Sequence, residues 1–278
     1  MTVPFRGVDV PFRPEPALPG PWAGAPSLWL LRVSASDERA SRDGSRPEAS
    51  DPEASDLDDA DLDVSCLDAD ERSRAAAFVR DSDRNLYLTA HIALRKLLGA
   101  NLDVPPGEVR FTREPCAECG GPHGRPVLAG LHSPLHFSLS HCEGLVLIGT
   151  AAGPVGVDVE RVPDPDAVDS LAKELHPGER ADLAAVPAGA RAEAFCRVWA
   201  RKEAYLKGIG VGLTRALDAD YVGDRPRHGA AHPSGWHLHS LDLGPHRGTH
   251  AAAVALREPA PPVLHVLPDT YAYARQHG

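Results

Sequence analysis

LDADERSRAAAF (67–78) and YLTAHIALRKLLG (87–99) recur 108 residues further on as LHPGERADLAAV (175–186) and FCRVWARKEAYLK (195–207). The constant offset lays Glu71 on Glu179, Arg72 on Arg180, Tyr87 on Phe195 and Leu98 on Leu206 without a gap. The flanks agree in kind. SLWLLRVSA (27–35) reads as a strand before the first copy and PVGVDVERV (154–162) as a strand before the second. After each copy comes a stretch that alternates apolar and polar residues around a Gly-containing turn, at 135–151 and 235–256, which predicts a hairpin. The fold class that follows is α+β: two pseudo-symmetric α/β lobes produced by internal duplication, each a small, largely antiparallel sheet packed on a long helix. Duplicated lobes bury a shared face most simply by pairing about a two-fold axis, which leaves a cleft between them for a ligand. The expected division is 1–153 for the N-terminal lobe and 154–278 for the C-terminal lobe.

The totals agree with this layout and exclude several classes. A chain of 278 residues, 42% hydrophobic, can bury a substantial core, and its apolar stretches are too short to span a membrane. The start, MTVPFRGVDVPFRPEP, has no apolar core behind a basic segment, so no secretory signal is expected and residues 1–26 read as a flexible tail. The five cysteines are odd in number and scattered, which suits a reducing cytoplasm rather than a disulfide framework. Residues 37–63 hold eleven acids and three bases, so most of the net charge of −10 sits in one acidic insert, expected to be solvated and disordered. No basic patch supports a nucleic-acid partner.

In Gly156-Val157-Asp158-Val159-Glu160 a strand places the two carboxylates on one face, about 7 Å apart. They repel unless a cation or base lies between them, and oxygen-only ligands suit a hard ion such as Mg²⁺. Taken alone, the pair also reads as a solvated strand edge. In the second-copy helix, Trp199, Glu203 and Lys207 share a face at i, i+4 spacing. There Glu203 reads as a third metal ligand or general base with Lys207 on a phosphate, or the two form a plain surface ion pair. Ser140-His141 closes a strand. Adjacency does not make a nucleophile pair, and no G-x-S-x-G surrounds the serine, so the two suit a phosphate better. CAECGGPHGRP (116–126) contains C-x-x-C with His123 and His132 nearby, but the second C-x-x-C of a full zinc site is missing. The preferred reading there is a Gly/Pro-rich loop that brings Arg125 to an anion.

Together these motifs resemble the surfactin-type (Sfp-type) 4′-phosphopantetheinyl transferases. The family's G-[IV]-D-[IV]-E strand is matched by Gly156–Glu160, and its W-x-x-K-E-[AS]-x-x-K-x-x-G-x-G helix by Trp199–Gly212. Its [FL]-[NS]-x-S-H is matched by Phe137–His141 and its G-[KR]-P by Gly124–Pro126, so that the resemblance spans roughly residues 27–256. The resemblance implies two lobes with coenzyme A between them. It also implies transfer of the phosphopantetheine arm of coenzyme A to a serine of an acyl or peptidyl carrier protein, in polyketide or nonribosomal peptide biosynthesis. Asp158, Glu160 and Glu203 would hold Mg²⁺, Glu203 would also serve as base, and Lys207 would neutralise the pyrophosphate. Ser140 and His141 would bind the 3′-phosphate end, with Arg125, and more weakly Arg74, on the nucleotide. One departure stands out: a D-R-R-R-[YF]-like run reads Asp83-Arg84-Asn85-Leu86-Tyr87, so either Arg84 reaches the nucleotide or one contact is missing. A monomer is expected, since the partner lobe is already in the chain. The competing readings are a Mg²⁺-dependent phosphohydrolase acting on a nucleotide or coenzyme A pyrophosphate, and a non-catalytic coenzyme A-binding module. The complete carboxylate set disfavours the module.

Overall fold

The computed structural model describes residues 10–13, 17–33, 61–130, 133–224 and 230–273. The acidic run up to residue 60, and His132, lie outside them. In chain order the elements are β1 (Ser27–Arg32), α1 (Ala69–Ala76), α2 (Asp81–Leu102), β2 (Phe111–Arg113), β3 (Pro126–Leu128), β4 (His136–Cys142) and β5 (Leu145–Ala151), then β6 (Val155–Arg161), α3 (Pro165–Leu171), α4 (Pro177–Ala184), α5 (Ala188–Ile209), β7 (His237–Ser240), β8 (His250–Leu256) and β9 (Val263–Val266). No described helix is long and apolar enough to cross a membrane.

The duplication is visible in the hydrogen-bond ladders. In the first half β1 pairs antiparallel with β5, and β5 with β4; in the second, β6 pairs with β8, and β8 with β7. Each lobe is therefore a three-stranded antiparallel unit in the same order. The short helices start alike, because both are closed by a capping box. Asp68 and Glu71 cap α1, and His176 and Glu179 cap α4, 108 residues on. The long helices match at 107 instead. Their first residues (Asp81, Ala188), last residues (Leu102, Ile209) and left-handed C-caps (Asp103, Gly210) all keep that spacing. One residue is thus lost between the short and long helices of the second copy, which the gapless alignment had hidden.

Alternation along the strands builds four layers. Leu28, Leu30, Leu145 and Leu147 meet Val155, Val157, Val159 and Val254 in a core between the two sheets. On the outer face of the first sheet, Trp29, Leu31, Val146 and Ile148 pack on Leu94, Leu97 and Leu98 of α2. On the outer face of the second, Ala251, Ala253 and Ala255 pack on Ala200 and Ala204 of α5.

The chain ends cross over. β9 adds parallel to β1, and Tyr273 bridges Leu62, so the stretch 154–278 is not confined to the second lobe. Val10, 3% exposed, forms a parallel bridge to Leu241 in the second lobe. The described part of residues 1–26 is thus tied down at points, at Val10, Ala17 and Trp22, with most residues between them exposed.

Candidate active site

On β6 the valines point into the core between the sheets, leaving Gly156, Asp158 and Glu160 to face α5. A Cβ on Gly156 would stand 2.0 Å from the Ala204 carbonyl oxygen and 2.4 Å from the Gly208 nitrogen. Only glycine permits this approach, and it seats the face bearing Trp199, Glu203 and Lys207 directly over the two carboxylates. Lys207 Nζ donates to Asp158 Oδ1 at 2.6 Å and to Ser140 Oγ at 3.0 Å, while Ser140 Oγ donates to Asp158 Oδ1 at 2.9 Å. The Trp199 side chain favours the ionised form of Glu160.

The carboxylates perturb one another. Burial, then the Asp158 and Glu203 charges, push the Glu160 carboxyl up to about 7 against the pull of Lys207. Burial and Asp158 push Glu203 up as well. Asp158 is 2% exposed, and its Oδ2 finds no hydrogen-bond partner among the described residues. The oxygens of the three residues do not all lie within 4.8 Å of one another. An oxygen-only, mutually repelling set with an orphaned buried oxygen fits a Mg²⁺-type ion, which takes one or two carboxylates and completes its shell with water and substrate phosphate.

Two edge strands meet beside this cluster. Ser138 Oγ accepts from Val157 N at 3.0 Å and Ser140 Oγ from Val159 N at 3.3 Å, so serine hydroxyls on β4 replace the ladder partners that β6 lacks on that edge. Next along β4, His141 is half-buried with its Nδ1 unpartnered among the described residues. Burial, then the charges of His91 and Lys207, press it down to about 4. A cleft of about 570 Å³ opens between the lobes, walled by α1, α2, the β2–β3 region, β4 and the end of α5. Its basic groups include Arg74, Arg113, Arg125 and Lys207, and its apolar walls include Leu94, Phe111, Phe137 and Leu206.

Residues 154–255 match the family model of the 4′-phosphopantetheinyl transferase superfamily, and residues 52–153 match that of the 4′-phosphopantetheinyl transferase N-terminal region. The chain belongs to the 4′-phosphopantetheinyl transferase superfamily. Similar relatives include the 4′-phosphopantetheinyl transferase HetI of Nostoc, 33% identical over 153 residues that cover 54% of this chain and 62% of HetI. A putative 4′-phosphopantetheinyl transferase of Synechocystis is 31% identical over 55% of this chain and 60% of its own length. The 4′-phosphopantetheinyl transferase Sfp of Bacillus subtilis is 22% identical over 55% and 64%. The chain thus spans less than two thirds of the length of these curated relatives.

In this member of the phosphopantetheinyl transferase superfamily, Asp158, Glu160, Glu203 and Lys207 come together as the motifs suggested. The Ser140 hydroxyl bonds to Asp158, Lys207 and the β6 backbone, beside the cleft end of α5. Arg125 lines the cleft, held by Gly208 O at 3.0 Å and Glu114 Oε2 at 2.6 Å, and Arg74 lies on its exposed rim. Arg84 instead pairs with Asp81 at 2.9 Å on the first turn of α2, away from the cleft walls, and Leu86 packs on the first-lobe core. Sequence reasoning missed Tyr87 and His91, which stack 4.1 Å apart on the cleft face of α2, with His91 Nδ1 3.0 Å from Glu71 Oε1. Their i, i+4 spacing with Leu94 three residues on was the available signal. Lys202, inside the helix motif, is a structural group: it pairs with Glu179 at 2.9 Å, both buried, as Arg95 pairs with Glu71 at 2.7 Å in the first lobe.

Proposed function

We propose that this protein transfers the 4′-phosphopantetheine group of coenzyme A to a serine hydroxyl of an acyl or peptidyl carrier protein. The observation that carries the proposal is Glu203: a buried-side carboxylate, held in an electrostatically repelling trio, on a helix whose next turn carries Lys207 to the wall of the inter-lobe cleft. Asp158, Glu160 and Glu203 would hold Mg²⁺, which when bound neutralises charge on the pyrophosphate. The basic groups of the cleft take the nucleotide phosphates and its apolar walls take the base. Lys207 adds positive charge beside the leaving phosphate. Glu203, raised by burial toward the working range of a base, takes the serine proton as the serine oxygen attacks the phosphorus bearing the pantetheine arm. The bond from that phosphorus to the bridging oxygen breaks, and adenosine 3′,5′-bisphosphate leaves. Such a transfer depends on positioning and charge neutralisation more than on covalent help.

A lobe boundary at 153/154, with β9 returned to the first sheet, service to polyketide or peptide synthases, action as a monomer and a cytoplasmic setting belong to the same proposal. They are supported by the paired lobes within one chain and by described cysteines that are all free. Incubation of a panel of apo carrier proteins with coenzyme A and Mg²⁺, read by intact mass, tests the assignment. A phosphopantetheine adduct on the carrier serine is the expected result. Consumption of coenzyme A without any acceptor would assign a phosphohydrolase instead.

A further inference from the structure

The loop between β2 and β3 carries a second cluster, away from the carboxylates. Cys116, Cys119 and His123 place one ligand atom each so that all three lie within 4.8 Å of one another, the one His/Cys/Asp/Glu group among the described residues to do so. A tetrahedral ion with Zn–S near 2.3 Å and Zn–N near 2.0 Å needs neighbouring ligand atoms about 3.5–3.8 Å apart, which lies inside that limit. Cys119 Sγ and His123 Nε2 stand 3.0 Å apart, so an ion would widen that pair slightly.

The backbone is already arranged around sulfur. Gly121 N–H donates to Cys119 Sγ at 3.4 Å. The turn is closed by Gly120 N to Cys116 O and Cys116 N to Gly121 O, both 2.8 Å. An amide directed at a cysteine sulfur stabilises the thiolate, the form in which cysteine binds a metal. Both cysteines are free thiols.

We propose that Cys116, Cys119 and His123 bind one Zn²⁺, with a water molecule in the fourth position and two thiol protons released on binding. Two soft thiolates and an imidazole select zinc over the hard cations suited to the carboxylate cluster. The ion acts as a clip. Cys116 is buried in the core of the second lobe with Ala200, Ala204 and Val211, although its loop belongs to the first lobe's sequence. The same loop ends in His123, Gly124 and Arg125, which wall the cleft. Zinc at this point would fix that wall against the second lobe, whatever chemistry the cleft performs.

The test uses the full-length protein, loaded with Zn²⁺ or Co²⁺ and freed of unbound metal. We expect one zinc per chain by elemental mass spectrometry. The Co²⁺ form should show a thiolate-to-metal charge-transfer band and the visible bands of a tetrahedral site. Cys119→Ser and His123→Asn, both at exposed positions, should each weaken binding at least tenfold while keeping the parent circular dichroism. Stripping zinc should speed proteolysis within 114–125. A parent protein that stays metal-free and gives no cobalt spectrum overturns the proposal. So does an intact mass two hydrogens low from a Cys116–Cys119 disulfide, or undiminished zinc in both variants.

Discussion

Glu203 lies one helical turn from both Trp199 and Lys207, and its carboxyl is raised by burial and by Asp158. Glu203→Gln keeps the shape and removes the basic oxygen. Carrier-protein modification should fall by about 10²–10⁴-fold, the usual worth of a general base, with circular dichroism and thermal midpoint retained. Turnover near the parent rate would remove Glu203 from the role of base. Lys202, one position earlier, gives the opposite outcome. Its ammonium neutralises Glu179 in a pair that is 1% and 0% exposed, so Lys202→Met should cost about 3–5 kcal/mol in denaturant unfolding by stranding the carboxylate. His141 supplies a pH signature. Its folded-state value is about 4 against an ordinary 6.5, so between those limits the unfolded chain takes up a proton that the folded chain refuses. Its contribution therefore favours folding above pH 6.5 and declines as pH falls toward 4, by up to about 3 kcal/mol. Comparing unfolding of the parent and His141→Gln at pH 7.5 and 5 isolates this slope, since the opposite dependence of Glu160 is common to both proteins. The sequence made Asp158, Glu160 and Glu203 legible because strand and helix periodicities put them on single faces. It did not show the partners of Ser140, because they lie on β6 and in α5, and neither distance can be read along the chain.

Among elements, the contact of β6 with α5 and the seam of β6 with β4 position the site. Gly156→Ala would drive a methyl into the Ala204 carbonyl and force the helix off the strand. We expect a loss of at least about 1–3 kcal/mol in stability, together with a fall in Mg²⁺-dependent activity as Glu203 and Lys207 lift away from Asp158. Ser138→Ala leaves the Val157 N–H without its acceptor and should cost about 1–3 kcal/mol by denaturant unfolding. The helices and hairpins were legible, since they rest on caps, periodicity and local turns. The 107-residue spacing of the long helices was not, because Arg95 and Lys202 reveal it only once each is seen on its buried glutamate. β9 was hidden for another reason: VLHV (263–266) is four residues long, and its parallel partner lies more than 230 residues earlier.

On the scale of the molecule, the lobes are bound by more than their shared apolar layer. Val10 sits on the second lobe, and β9 completes the first. If the chain is cut between Gly153 and Pro154, each fragment keeps a segment that belongs to the other's sheet and exposes its half of the inner core. Neither fragment alone should show a cooperative thermal transition, whereas mixing them should restore one. Two sharp independent transitions would show that the lobes are self-sufficient. The crossing also inverts the ordinary rule for attaching labels. A fluorophore attached at Pro11, beside Val10, reports from the lobe encoded last, and one attached at Tyr273 reports from the lobe encoded first.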